Sequence, residues 1–486
     1  MRPQVNAMTP KRVSAAPCHC ERSEAVSNAF NGLLRPPRFA LGARNDGAFI
    51  ACISVVLFGL LIISSQASAQ PPVFEKIKEA QNRLDGLELK HQITTVREAV
   101  QAKRAVRYVR QKALMREVAV VGLNSKNGEL KDFTFQETVL LDRKNRPHVK
   151  PPQVIAKDNT CELTWRGGSR WGFNRDLLLT CNGEDMVIVN LTMWTSRVER
   201  NVVVDQRTGK RTCRQGQAEL RIGSYVPYSS ELHTPEIAEE GHRYLERAIL
   251  QALQELDDLN VTSKTFTEQN VSELASFDFI HALLVDEHMD PDEFTRNEKN
   301  GMLSRLIEKY WVEVAINQDS AFKMSVSPAG ASGISQFICP TYARILDETP
   351  EAKLDPAFLH GMQDHVNAIK ASITLFDSDM SSGWTPTTRK ICFASAEMLE
   401  DCWAASYNGG PNRLNRVIAK RGEEWDKKGT MIRNTRRYFA SRFKEETYTY
   451  LAKLRSIRED LLALEKKRPA NNGPLKRWGV GVEHHP

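Results

Sequence analysis

The 486-residue chain has no C-x-x-C or C-x-x-H pair, no internal repeat, little excess of either charge, and one long apolar run, Ala48 to Ile63. Each shortage removes a class of protein. Without cysteine and histidine at ligand spacing, the motifs of zinc and dithiol chemistry are missing. Without a repeat, solenoids and propellers are excluded. The apolar run is 16 residues, short of the ~20 that a spanning helix needs. The net charge of +7 includes a first 69 residues with seven basic and three acidic side chains, and +3 remains without them. That balance is too mild to imply a nucleic-acid partner. What is present is ordinary globular material: 41% hydrophobic residues, enough for large cores in two or three domains.

The apolar run is read as an address. Arg44 precedes it, and Ala67-Ser68-Ala69 forms a small-x-small cleavage site before Gln70, the layout of a secretory signal. Residues 1–69 are therefore expected to be a leader, and the protein to be exported to the periplasm or cell envelope, with a retained anchor the less favoured reading. Cys52 lies inside the run, which argues against lipoprotein processing. The 47 residues ahead of the run exceed a normal charged n-region. Their text, from Cys18-His19-Cys20 to Arg44-Asn45-Asp46, resembles translated palindromic repeats of some bacterial genomes, implying a start site placed too far upstream. Cys18, His19 and Cys20 fall short of a four-ligand metal set, so no metal and no cofactor is expected.

Six cysteines remain after the leader: Cys161, Cys181, Cys213, Cys339, Cys392 and Cys402. An even number in an exported chain fits three disulfides, with fifteen connectivities open. Cys161 with Cys181 and Cys392 with Cys402 are the nearest pairs, which would leave Cys213 and Cys339 to join two domains. Buried free thiols are the alternative, since cysteine packs as a small hydrophobe.

Periodicity divides the mature chain into an α+β multidomain arrangement. Val73, Ile77, Ala80, Leu84 and Leu87, then Ile93, Val96 and Val100, recur at helical spacing and predict helix over 70–116. Lys103, Arg104, Arg107, Arg110 and Lys112 would put a basic, solvated stripe on its face. Over 117–230 short runs rich in Val, Thr, Phe and Trp alternate with the turn signals Asn127-Gly128, Gly167-Gly168 and Asn182-Gly183. These predict a small antiparallel β domain, a sandwich or barrel, with Met186 to Trp194 its clearest strand. Trp165, Trp171, Phe173 and Trp194 suit its core better than a sugar-stacking platform. Helical periodicity returns over 231–465, and 466–486 is a basic tail. Asp286, Glu287, His288, Asp290, Asp292 and Glu293 look like metal ligands but suit a solvated helix start, with Pro291 near its first position.

Three motifs fall in the helical region. Asp319, Ser320, Phe322, Ser327, Gly330, Ala331, Gly333, Ile334 and Gln336 form the first; Ala405-Ser406-Tyr407-Asn408-Gly409-Gly410-Pro411 the second; Thr435 to Tyr438 the third. In this order they resemble the soluble lytic transglycosylase family, whose signatures read roughly E-S-x-F…S-x-x-G-A-x-G-L-M-Q, A-Y-N-x-G-P and T-x-x-Y. The chain departs from them at Asp319, where the family has the catalytic glutamate, in a loop one residue shorter between Phe322 and Ser327, at Ser335 in place of Met, and in a serine inserted before Tyr407.

The resemblance implies a mainly α, lysozyme-like C-terminal domain. Its helix from Leu306 to Asp319 would carry the catalytic acid at its C-terminal end, in a groove for peptidoglycan glycan strands. Most glycosidases use two carboxyl groups; this family uses one, as acid and then as base, leaving an anhydro-MurNAc end. Asp319 is accordingly the catalytic candidate. Ser327, Gln336, Tyr407, Asn408 and Tyr438 are the substrate-binding candidates, with Ser327 also shaping the loop. Glu313 is a poor substitute: six residues earlier, it points about 240° round the helix axis. An aspartate is one methylene shorter than glutamate, and a misplacement of about 1 Å can cost on the order of a hundredfold in rate. Two readings follow: a transglycosylase acting through Asp319, or a wall-binding or scaffold protein that keeps the groove without turnover. An envelope or secretion-machine protein is a further possible partner.

Overall fold

The computed structural model describes residues 72–102, 105–141, 151–323, 325–327, 329–426 and 445–467. The leader, Thr435 to Tyr438 and most of the basic tail lie outside them. Among the described residues no helix is long and apolar enough to cross a membrane.

Helix α1 (Pro72–Leu84) buries Phe74, Ile77, Ala80 and Leu84 on one face, as the 3.6-residue spacing requires. It stops there. Gly86 takes φ +80°, a left-handed turn favoured by glycine, and the chain continues as strand β1 (His91–Ala102), paired antiparallel with β2 (Ala105–Leu123). The helix expected to run to 116 is thus corrected to a helix of 13 residues and a long hairpin. Past Gly86 the apparent helical stripe has no core to face: Leu87 is 40% exposed and Ile93 53%. Arg110 and Lys112, expected on a helix, are exposed on β2.

The hairpin opens an eight-stranded antiparallel sheet, completed by β3 (Leu130–Leu140), β4 (Gln153–Lys157), β5 (Cys161–Gly168), β6 (Arg175–Cys181), β7 (Glu184–Val204) and β8 (Arg211–Tyr225). The main path runs β1-β2-β7-β6-β5-β4, with β3 on β2 and β8 on β7. Long β2 and β7 change partners along their length, so the sheet curls on itself in place of a two-sheet sandwich. Asn182 and Gly183 (φ +51° and +80°) turn β6 into β7 with the left-handed pair a tight hairpin needs. Trp165 and Phe173 lie in the sheet's core with Val118, Leu163, Leu179 and Met193. Trp194 packs on His91 and donates to the Leu89 carbonyl (2.7 Å), and Trp171 lies beside Arg170.

The rest is helical: α2 (Pro235–Asp258), α3 (Phe277–His288), α4 (Pro291–Lys299), α5 (Leu303–Asn317), α6 (Cys339–Glu348), α7 (Phe358–Gln363), α8 (His365–Ser378), α9 (Pro386–Cys392), α10 (Ala396–Gly409), α11 (Pro411–Arg421) and α12 (Glu445–Lys467). The architecture is α+β. One apolar core runs from α1 and the inner residues of β2 and β7, such as Ala119 and Val189, into the helices around Phe279, Phe376 and Trp403. Helices α2 and α5 cross so closely that a Cβ on Gly241 would stand 1.8 Å from the Trp311 carbonyl oxygen.

The acidic run at 286–293 is a solvated helix start only in its second half. Asp290 caps α4, accepting from the amides of Asp292 and Glu293 (both 2.9 Å), with Pro291 first in the helix. Asp286 is instead buried and paired with Lys453 of α12 at 2.8 Å. Burial holds its carboxyl up at about 6 against that cation. Glu287 accepts from Tyr450 (2.7 Å), and His288 hydrogen-bonds the Ile334 carbonyl (2.8 Å). No cluster that could hold a metal occurs among the described residues.

All six cysteines are paired: Cys161–Cys181 across β5 and β6, Cys392–Cys402 between α9 and α10, and Cys213–Cys339 from β8 to the first residue of α6. The last spans 126 residues and ties β8, the partner of β7, to the helices. Replacing both of its cysteines by serine is expected to lower unfolding stability by about 2–4 kcal/mol, since long closed loops restrict the unfolded chain most. Chemical denaturation of the two proteins measures it.

Candidate functional site

Helix α5 buries Leu306, Ile307, Tyr310, Trp311 and Val314 and ends against the exit of the sheet. There the Asn317 side chain accepts from the Val226 amide (2.9 Å) and donates to the Val226 carbonyl (3.0 Å). A 3-10 turn, Gln318–Ser320, follows and presents Asp319 to solvent. Among the described residues no apolar wall encloses the carboxyl. Of the six non-glycine residues with positive φ in the described chain, three flank this turn and its loop: Gln318 (+45°), Phe322 (+60°) and Gln336 (+49°). Such conformations are costly and cluster at functional sites.

Phe322 is held by stacking on His288, with ring centroids 3.8 Å apart, and on Tyr310 at 5.2 Å. Beyond it the loop folds back on itself. Ser327 donates its amide to the Ala331 carbonyl (2.9 Å) and its Oγ accepts from the Ala331 amide (3.0 Å), so this candidate shapes the loop. Gln336 donates Nε2 to Gly333 O (2.8 Å) and Ser325 Oγ (3.2 Å), which leaves Oε1 outside those bonds. Tyr407 donates to the Ser335 carbonyl and lies 3.3 Å from Ser372 Oγ, bracing the loop from α10. Burial raises its phenol well above the usual range. Asn408 Oδ1 accepts from Thr447 Oγ1 of α12 at 2.8 Å. Tyr438 lies outside the described residues.

The sheet also reaches the loop. Gly330 sits at φ +87° under the Arg200 guanidinium, and a Cβ there would stand 2.2 Å from Cζ. Arg197 donates to the Lys323 carbonyl (3.3 Å), and Arg211 pairs with Asp347 (2.8 Å), close to the Cys213–Cys339 bond. Burial outweighs the nearby Glu199 and brings Arg197 down to about 10.

Two residues at the acid carry no sequence motif. Tyr244 of α2 donates Oη to Asp319 Oδ1 at 2.7 Å, and the same oxygen is 2.9 Å from His365 Nδ1. His365, the first residue of α8, places Nε2 2.7 Å from the Ala321 carbonyl. Tyr244 follows Gly241 on the face of α2 that crosses α5, so the close helix contact sets its reach. Glu313 is buried with His288 and Tyr310 at a small cavity whose lining excludes Asp319. No protein-family model, no curated protein and no solved structure matches the chain.

Proposed function

We propose that the chain is a lytic-transglycosylase-like protein of the cell envelope, exported by its leader, that cleaves the MurNAc–GlcNAc bond of peptidoglycan with Asp319 as acid and base. Its helices would form a lysozyme-like domain. The observation that carries this reading is the placement of Asp319: exposed at the end of α5, beside a loop closed by its own small residues, with the Tyr244 hydroxyl at 2.7 Å. Protonated Asp319 gives its proton to the glycosidic oxygen as the C1–O bond breaks. The MurNAc C6 hydroxyl then bonds to C1 and returns a proton to the carboxylate. Every proton is accounted for, and no water is consumed. The β7–β8 pair, through Arg200 on Gly330, would form one flank of the groove.

The exposure of Asp319 also favours a second reading, glycan binding without turnover, because the protonated form of an acid is best held by an apolar wall. Incubating the full chain with intact sacculi separates them. Soluble muropeptides in the supernatant support cleavage; co-sedimentation without release supports binding alone, and neither would dismiss both readings.

A further inference from the structure

A phenol has one proton to give and an oxygen that also accepts. Tyr244 Oη has two neighbours for that proton, Asp319 Oδ1 at 2.7 Å and His365 Nδ1 at 2.9 Å. The other ring nitrogen of His365 faces the Ala321 carbonyl oxygen at 2.7 Å, a group that only accepts, so Nε2 carries the hydrogen. In the neutral ring Nδ1 is then an acceptor. Burial disfavours the imidazolium despite that carbonyl bond. The chain Asp319–Tyr244–His365–Ala321 therefore has one proton too few to fill every contact while Asp319 is a carboxylate.

We propose that Tyr244 is a two-way hydrogen-bond bridge. When Asp319 is ionised, the Tyr244 hydroxyl donates to it and His365 Nδ1 is left without that donor. When Asp319 takes up a proton, its own O–H donates to the Tyr244 oxygen, and the Tyr244 proton turns to His365 Nδ1. No covalent bond other than the Asp319 O–H is made or broken; the phenol only reorients. Tyr244 and His365 are positioning residues: they give the carboxyl a partner in both of its states, as a group acting as acid and then as base requires. That role rests on the proposed function, whereas the bridge itself does not.

The charged groups around the chain are Lys323 on the loop, Asp364 at the cap of α8 and Arg247 on α2. Asp364 is engaged by the Asn367 amide (3.1 Å). Burial lowers Lys323, with Asp319 and Asp364 opposing. Burial and then the Asp319 charge hold the Tyr244 phenol far above its usual range, so it keeps its proton throughout.

The test is nuclear magnetic resonance of the full chain labelled with 15N-histidine, with His365 assigned through His365→Gln. The Nδ1 resonance of His365 is expected to show, as pH is lowered, a step that is absent in Asp319→Asn and in Tyr244→Phe. A wild-type titration without that step, or one that keeps it in Asp319→Asn, overturns the bridge; the latter assigns the step to Asp364 or to protonation of the imidazole itself. In sacculus digestion, Tyr244→Phe is expected to lower kcat/KM about ten- to a hundredfold, the worth of a hydrogen bond to a charged group, with KM unchanged and the pH profile displaced. Unaltered kcat/KM and profile would refute the positioning role. A wild type that releases nothing removes the functional reading and the positioning role with it, while the resonance still decides the bridge.

Discussion

Asp319→Ala is expected to lower release of soluble muropeptides from sacculi by on the order of a hundred- to ten-thousandfold, the range for loss of a general acid or base, while sedimentation with sacculi is retained. Asp319 is the only residue that both occupies the acid position of the motif and lies exposed at the end of α5. Glu313 is buried at a cavity that does not include it, and Glu308, the other carboxylate of α5, lies 3.2 Å from His233 Nε2, so neither is placed to take over. Asp319→Glu restores the missing methylene and is expected to stay within about a hundredfold of the wild type, the penalty for displacing a catalytic group by about 1 Å. Undiminished release by the alanine variant would remove Asp319 from the chemistry. Release by the glutamate variant alone would mean a groove that has lost its acid, the binding reading.

The second large effect is on stability and lies in the sheet. Glu137 of β3 is buried beneath Arg116 (2.7 Å) and Arg175 (3.0 Å), with Arg170 at 3.6 Å. Burial alone would raise its carboxyl, but Arg175 and Arg116 together bring it down to about 2. Glu137→Gln leaves buried guanidinium groups without their counter-charge and is expected to cost about 3–5 kcal/mol, as for other broken buried pairs. The pH dependence follows from the direction of the shift. A carboxyl lowered by folding stabilises above its unfolded value of 4.5 and loses that contribution as pH falls through about 2. Between pH 7 and pH 3, which covers about the upper 1.5 units of that window, the wild type is expected to lose about 2 kcal/mol more than the variant. Parallel denaturation curves at pH 7 and pH 3 check both; equal stability at pH 7 would show that backbone carbonyls alone hold the arginines.

The sheet was legible where turn chemistry spoke. Asn127-Gly128 and Asn182-Gly183 both mark tight turns between strands, and the run Met186 to Trp194 lies inside β7. The hairpin at 91–123 was not, because Ile93, Val96 and Val100 fall three and four apart by chance on a strand whose Ile93 stays exposed. Periodicity reports a helix only when the stripe is buried. Helix α5 and the loop after it could be read from the motif. Tyr244, which meets the acid, and His365 behind it could not, since Tyr244 lies 75 residues before Asp319, His365 follows on another helix, and only folding brings them together. Asp286 misled for the opposite reason: its place in an acidic run suggested solvent, and the lysine that neutralises it stands on α12.

The central claim, cleavage of peptidoglycan without water, is tested most directly by digesting sacculi with the full chain in H2(18)O and analysing the released glycan by mass spectrometry. Anhydro-MurNAc ends without 18O are the expected result. Reducing ends carrying 18O, or no released glycan at all, would contradict it.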